Sequence, residues 1–387
     1  KLHKITLLLK SIQTQMKKYI FASIAFVSML VSAQETPFKF KELVNNSALP
    51  IISQGKTGTC WSFSTTSFLE SEVKRLTGKD VDLSEMYNVR FTYPVKAYNY
   101  VYRQGKAQFS EGGLSHDVLN SVRKNGLVPN EVYAGFANGT DVKHNHEMLV
   151  KDLKVGLDSI VKNPKKYLTA DWKSKFDQKL NDKLGVPPTK FKFEGKEYTP
   201  QEFAKFLKIN PDDYVTLTSF QQAPYYSQFI LQVPDNFSNG SYYNLPLDEY
   251  MKVLDEALYK GYTAAFDTDV SEKTFSKKYG MAIWPSEGLE SDYFVQILPE
   301  KWVTADERQK GFEDYSTEDD HLMHITGILK DQLGNQYYDV KNSWGTTDLG
   351  NNGHIYMSKP FFRMKSIAFT VHKDALSKEV KKQLGIK

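Results

Sequence analysis

Gln54-Gly-Lys-Thr-Gly-Thr-Cys60-Trp61 carries the only cysteine of this 387-residue chain. After it, Trp61, Phe68, Leu69, Val73 and Leu76 recur at helical spacing until Thr77-Gly78 ends the run. The thiol therefore stands at the head of a predicted helix, where unpaired N–H groups favour an anion. A lone cysteine can form no disulfide within the chain, and a thiol placed this way reads as a nucleophile rather than as packing.

The partners such a thiol needs come far downstream, at Asp320-His321 and Asn342-Ser343-Trp344-Gly345. A thiol attacks an amide as thiolate, so its pKa is expected to be lowered by the helix terminus and a nearby imidazolium. In the predicted strand His321 to Leu329, alternate side chains face opposite ways, so only one of His321 and His324 can address the cleft. His321, at the strand mouth, is the expected base; His324 is expected to be packed or paired behind the sheet. Asn342 can accept the ring N–H that faces away from the thiolate, and Trp344 can shield that bond from water. An oxyanion requires donors aimed at it, and the Cys60 backbone N–H and the Gln54 side-chain amide are the natural pair.

The start of the chain reads differently. Met16-Lys17-Lys18 opens a basic stretch, Tyr19 to Leu30 is mostly apolar, and Val31-Ser32-Ala33 supplies small residues before Gln34. This is a signal-peptide pattern, too short for a comfortable membrane span, and residues 1–15 read as upstream of the true start. Cleavage after Ala33 removes 33 residues with five lysines and no acid, so the formal charge moves from +4 to −1. The basicity thus belongs to the leader, and no nucleic-acid partner or stable membrane anchor is expected. An exported chain with one cysteine must be stabilised by its core, for which its many Phe and Tyr residues are available.

Helices are predicted from Leu83-Ser84-Glu85 to about Tyr102, over Leu114 to Lys124, and over Leu247 to Tyr259. Asp141 to Leu184 is lysine-rich and helical in pattern; Phe191 to Lys196 resembles a hairpin, and Gln201 to Leu207 a short helix. The stretch from there to Asn244 reads as aromatic and turn-rich. Tyr262 to Phe266 reads as a strand. After Asp320 the texture is β, with strands at His321 to Leu329, Gln336 to Lys341, His354 to Ser358 and Ile367 to His372. The expected α+β organisation is a helical lobe with the nucleophile (34–140), an insertion (141–244), a β-rich lobe with His and Asn (245–376) and a helix end (377–387).

Together, Gln54…Gly58-Thr59-Cys60-Trp61, Leu83-Ser84-Glu85, Gly112-Gly113, Asp320-His321 and Asn342-Ser343-Trp344-Gly345…Asn352-Gly353-His354-Ile355 resemble the papain-like cysteine peptidases. More closely, the chain resembles their bleomycin hydrolase and aminopeptidase C branch. His321-x-Met323-x-x-Thr326-Gly327, Gly126-Leu-Val-Pro129 and Leu184-Gly-Val-Pro-Pro188-Thr-Lys-Phe191 carry that likeness. So do Leu245-Pro-Leu-Asp248, Asp267-Thr-Asp269-Val270 and Val371-His-Lys-Asp-Ala375-Leu376. The resemblance implies a two-lobed fold with the cleft between lobes and a thiol peptidase in which Cys60, His321 and Asn342 are catalytic. Gln54 and Cys60 then hold the oxyanion, and Gly112, Gly113 and Trp344 lie along the substrate groove. It implies peptide substrates, no cofactor and no metal; a homo-oligomer stays open.

In that branch an arm past the last helix places its terminal carboxylate in the cleft and restricts the enzyme to free N-termini. Here the segment after Leu376 reads as too short for this. Aminopeptidase activity, endopeptidase activity in an open cleft, and peptide binding without turnover are all carried forward. Glu111 is a candidate for meeting a substrate amine. His116 reads either as a groove residue or as a surface helix residue. His144-Asn-His146-Glu147 lacks the i, i+4 histidine pair of a helical metal site and reads as a solvated helix.

Overall fold

The computed structural model describes residues 36–137, 143–163, 167–286 and 293–387. The signal-peptide pattern at 16–33 and the start of the predicted insertion lie outside them. Three helices form the front of the molecule: α1 (Cys60–Thr77), α2 (Glu85–Tyr102) and α3 (Ser115–Asn125). Their ends follow the sequence signals. Ser84 caps α2 by accepting the Tyr87 N–H, and Gly78 ends α1 in the left-handed region at φ 74°. The lysine-rich stretch forms α4 (Glu147–Val161) and α5 (Trp172–Leu184), which pack Leu149, Leu153, Phe176 and Leu180 into the same core as Phe68 and Tyr93. The chain continues through a small hairpin, β2 (Phe191–Phe193) and β3 (Lys196–Tyr198), and the short helix α6 (Pro200–Phe206).

The back is a large mixed sheet. Before α1, β1 (Lys41–Asn45) is an arm paired antiparallel with β10 (His321–Lys330). The main path is β5 (Gln228–Ile230), β6 (Ser241–Asn244), β4 (Tyr214–Thr218), β13 (Ser366–His372), β7 (Ala264–Thr268), β10, β11 (Gln336–Lys341), β12 (His354–Ser358), β9 (Met281–Ala282) and β8 (Phe275–Ser276). Helix α7 (Leu247–Tyr259) covers this sheet, burying Tyr250, Leu254 and Leu258 against Phe266, Ile325 and Tyr338. The closing α10 (Lys378–Leu384) buries Val380 and Leu384 in the same core.

Two readings are corrected. The stretch before Asn244 is not only turns: β4, β5 and β6 extend the main sheet past β13. Sequence also missed α8 (Ala305–Glu313), which opens with a Thr304/Glu307 capping box, and α9 (Lys359–Lys365). Helix α1 lies across β10, so the head of α1 and the mouth of β10 meet where front and back join.

Candidate active site

The Gln54–Cys60 turn is tied to both halves of the molecule. The Gln54 N–H donates to the Ser343 carbonyl at 2.8 Å, and Lys56 N–H donates to the His144 carbonyl. Gly55 sits at φ 69°, and a methyl group there would lie 2.3 Å from the His144 carbonyl oxygen, so this turn demands glycine. The Gly58 N–H donates to Glu111 Oε2 at 2.6 Å, and Trp61 Nε1 donates to the Glu111 carbonyl at 2.9 Å. Glu111, the amine-binding candidate, thus pins the nucleophile turn. Beneath Gly113 lies the Trp61 ring, 3.1 Å from where a Cβ would stand.

Cys60 opens α1 and is buried, and the Leu322 backbone N–H is directed at its sulfur. His321, also buried, shares a 2.8 Å hydrogen bond between its Nε2 and Asn342 Oδ1. Asn342 Oδ1 also accepts the Ser343 N–H at 2.7 Å, which fixes which end of the amide faces the ring. The ring N–H is therefore on Nε2, and Nδ1 keeps its lone pair. Trp344 stacks on His321 with ring centroids 4.7 Å apart at 26°, covering this pair. Gln54 Oε1 accepts the Ser343 hydroxyl at 2.5 Å while its Nε2 donates one hydrogen to the Thr57 carbonyl at 2.7 Å. One side-chain N–H of Gln54 remains for another acceptor.

Burial works against the helix terminus at this thiol. Burial, with Asp235, Asp267 and Asp319 adding to it, pushes Cys60 up to about 12, against the Leu322 N–H. Burial also pushes His321 below its ordinary value, opposed by the Asn342 bond and Asp320. Burial thus acts against the charged form of each partner.

His324 lies fully buried behind the strand, its Nδ1 3.0 Å from Ser67 Oγ, which in turn accepts from Lys341 Nζ at 2.7 Å. His116 is neither groove nor free surface: its ring nitrogens bond Ser238 at 2.7 Å and Tyr242 at 3.2 Å. The solvated-helix reading of 144–147 is corrected. His146 is buried with Nδ1 on the Tyr93 hydroxyl at 3.1 Å, and His144 stacks on Phe136 at 4.1 Å. The His146 ring is shut away from solvent, and the His144 ring is half-buried against Phe136. The carboxylates of Glu70, Asp82 and Glu85 approach within 4.8 Å of one another in a cavity between the lobes. Lys341 lines that same cavity and occupies the cation's role there.

Sequence reading missed Asp235. Its Oδ1 accepts from Gln108 Nε2 at 2.7 Å, and the carboxylate lies over Gly112, where a Cβ would come within 1.8 Å of Oδ2. The only sequence signal was the turn-forming run Pro234-Asp-Asn-Phe-Ser-Asn-Gly240, which says nothing of the partner across the cleft.

A two-lobed fold with a helix-head thiol, a buried imidazole and an amide behind it defines a papain-like cysteine peptidase. The chain belongs to the Peptidase C1-like family, whose model matches residues 9–386. It is similar to Aminopeptidase G of Lactobacillus delbrueckii subsp. lactis, 25% identical over 87% of this chain and 83% of that protein. It is also similar to Aminopeptidase C of Listeria monocytogenes (24%, covering 85% and 81%) and to the mitochondrial Cysteine proteinase 1 of Saccharomyces cerevisiae (24%, covering 88% and 78%). The crystal structure of PepW from Lactobacillus rhamnosis HN001 superposes with a TM-score of 0.71 at 19% identity, covering 91% of this chain and 85% of that one.

Proposed function

We propose that this chain is an aminopeptidase that hydrolyses peptide bonds through a Cys60–His321–Asn342 thiol mechanism. The observation that carries it is the His321 Nε2 to Asn342 Oδ1 bond, which leaves Nδ1 as the ring's proton acceptor, one residue from Leu322, whose N–H meets the Cys60 sulfur. Nδ1 takes the Cys60 proton as the sulfur attacks the substrate carbonyl carbon, so both charges form together instead of separately. The carbonyl oxygen becomes an oxyanion, met by the Cys60 N–H and the remaining Gln54 side-chain N–H. The C–N bond then breaks as His321 returns its proton to the leaving amine. Water, deprotonated by the same ring, releases the acyl group from sulfur. Asn342 holds the ring for each transfer, and Trp344 keeps water from the Asn342 bond.

The names of the relatives support the aminopeptidase reading. Iodoacetamide is expected to label the protein once, at Cys60, and Cys60→Ser to abolish both labelling and peptide turnover. Turnover that survives Cys60→Ser sinks the mechanism. A competing amine acceptor in the assay separates hydrolysis from acyl transfer. Export belongs to the same proposal and rests on the Met16–Ala33 pattern alone; recovery of a tagged chain in the cytosolic fraction, uncleaved at Ala33, would overturn it.

A further inference from the structure

One end of the Cys60 cleft is closed by a carboxylate from a loop. Cys60, Glu111, Gly112, Asp235 and Asp320 line a single cavity of about 430 Å³. Asp235 comes from the segment between β5 and β6 and lies directly on the Gly112 α-carbon. A peptide laid along the Gly112-Gly113 shelf away from Cys60 runs into this carboxylate.

The loop is built to hold it there. Asn236, buried, donates from Nδ2 to the Leu231 and Gly240 carbonyls at 2.8 and 2.9 Å and accepts the Gly240 N–H at 2.7 Å. Ser238 donates to Asp117 at 2.6 Å and bonds His116, which fastens the loop to α3. The Asp235 N–H donates to Asp319 Oδ2 at 3.1 Å. Gln108 and Ser110 both approach Oδ1, which leaves Oδ2 to the cavity.

Lys96 is the cation that acts on Asp235 and favours its ionised form. Its ammonium is directed to the Gly112 carbonyl, to Ser110 Oγ at 3.3 Å and over the Phe237 ring. Behind Asp235, Asp319 neighbours Asp267, which is 3% exposed and takes no N–H or hydroxyl donor on either oxygen. The polar neighbour of Asp267 is the Asp319 carboxyl, a bond that requires one of the two to hold a proton. An accessible carboxylate held at the end of the cavity that Cys60 lines offers a cation a charge-assisted hydrogen bond.

Resting on the peptidase reading above, we propose that Asp235, backed by Asp319 and Asp267, receives the α-ammonium of the substrate's N-terminal residue. An internal loop, clamped by Asn236 and Ser238, then sets the requirement for a free amino terminus. Glu111 lines the same cavity but gives Oε2 to the Gly58 N–H, so its part is to hold the nucleophile turn.

The test uses the full chain and one fluorogenic peptide with a free or an acetylated N-terminus. Wild type is expected to prefer the free amine. Asp235→Asn should lower kcat/KM for the free-amine peptide by roughly tenfold to a hundredfold, the range of one charge-assisted hydrogen bond, and narrow the preference over the acetylated form. Asp235→Glu should keep much of the preference, which guards against an Asn variant that folds poorly. A denaturant midpoint equal to that of wild type shows that the Asn variant is folded. An unchanged preference in Asp235→Asn overturns the proposal. Equal cleavage of both peptides by wild type also overturns it, and leaves the thiol mechanism standing. Cleavage of neither by a protein that iodoacetamide labels removes the peptidase reading and the proposal together.

Discussion

His321 and His324 stand three residues apart on β10 and are held by different neighbours: His321 by Asn342 and Trp344, His324 by Ser67 and the Phe68 ring. We expect Asn342→Ala to lower kcat roughly tenfold to a hundredfold with little change in KM, since it removes orientation and not binding. The Asn342 bond is also what raises His321 against burial. Its loss should therefore move the acid limb of the pH profile, already below pH 6.5, to still lower pH. That shift is not expected of a variant that is merely loosened; an acid limb that stays in place with kcat reduced would remove the orienting role. His324→Ala should act on stability instead, costing about 2 kcal/mol or more through a cavity beside Phe68 and an unpaired Ser67. Denaturant midpoints and turnover on both variants separate the two roles, and a folded His324→Ala protein without activity would reverse the assignment.

At the scale of elements, the sequence revealed what is periodic or capped locally. Helix α1 was readable because its apolar spacing begins at Cys60 and ends at Gly78, and β10 to β12 because apolar runs are punctuated by turns. The outer strands β4 to β6 were not, because Tyr214–Thr218 and Ser241–Asn244 are short and their partners lie far along the chain, as Ala368 does for Thr218. The Asp235 contact was invisible for the same reason: Gln108 and Asp235 are 127 positions apart. Close approach can be read at Gly327 only with the structure in hand. There a methyl group would lie 2.3 Å from the Val44 carbonyl oxygen of the paired arm β1. Gly327→Ala should push β1 off the sheet, lowering stability by about 1–3 kcal/mol and exposing the Phe38–Ile52 segment to proteolysis. Equal denaturant midpoints and an equally resistant arm would show that the sheet absorbs the methyl group.

At the scale of the molecule, several described titratable groups are buried, and their signs decide how stability follows pH. Burial raises Glu70 to about 8, Asp319 to about 7 and Glu300 to about 7, from ordinary values near 4. For such a group the folded state holds a proton that the unfolded state has released, so its contribution is present at low pH and is lost as pH rises towards the folded value. Burial lowers His146 to about 4 and His324 well below its ordinary value. There the unfolded state binds the extra proton, and stability is lost as pH falls below 6.5. Between about pH 8 and about pH 5.5 the carboxyls act over most of the interval, the histidines only over its last unit. We therefore expect a higher Tm near pH 5.5 than near pH 8, measured by calorimetry at fixed ionic strength. Glu70→Gln removes the largest of these carboxyl terms from the cavity it shares with Lys341, and should flatten the dependence. A Tm that rises from pH 5.5 to pH 8 would mean that these carboxyls ionise in the folded protein, with Lys341 and water between the lobes accommodating the charge.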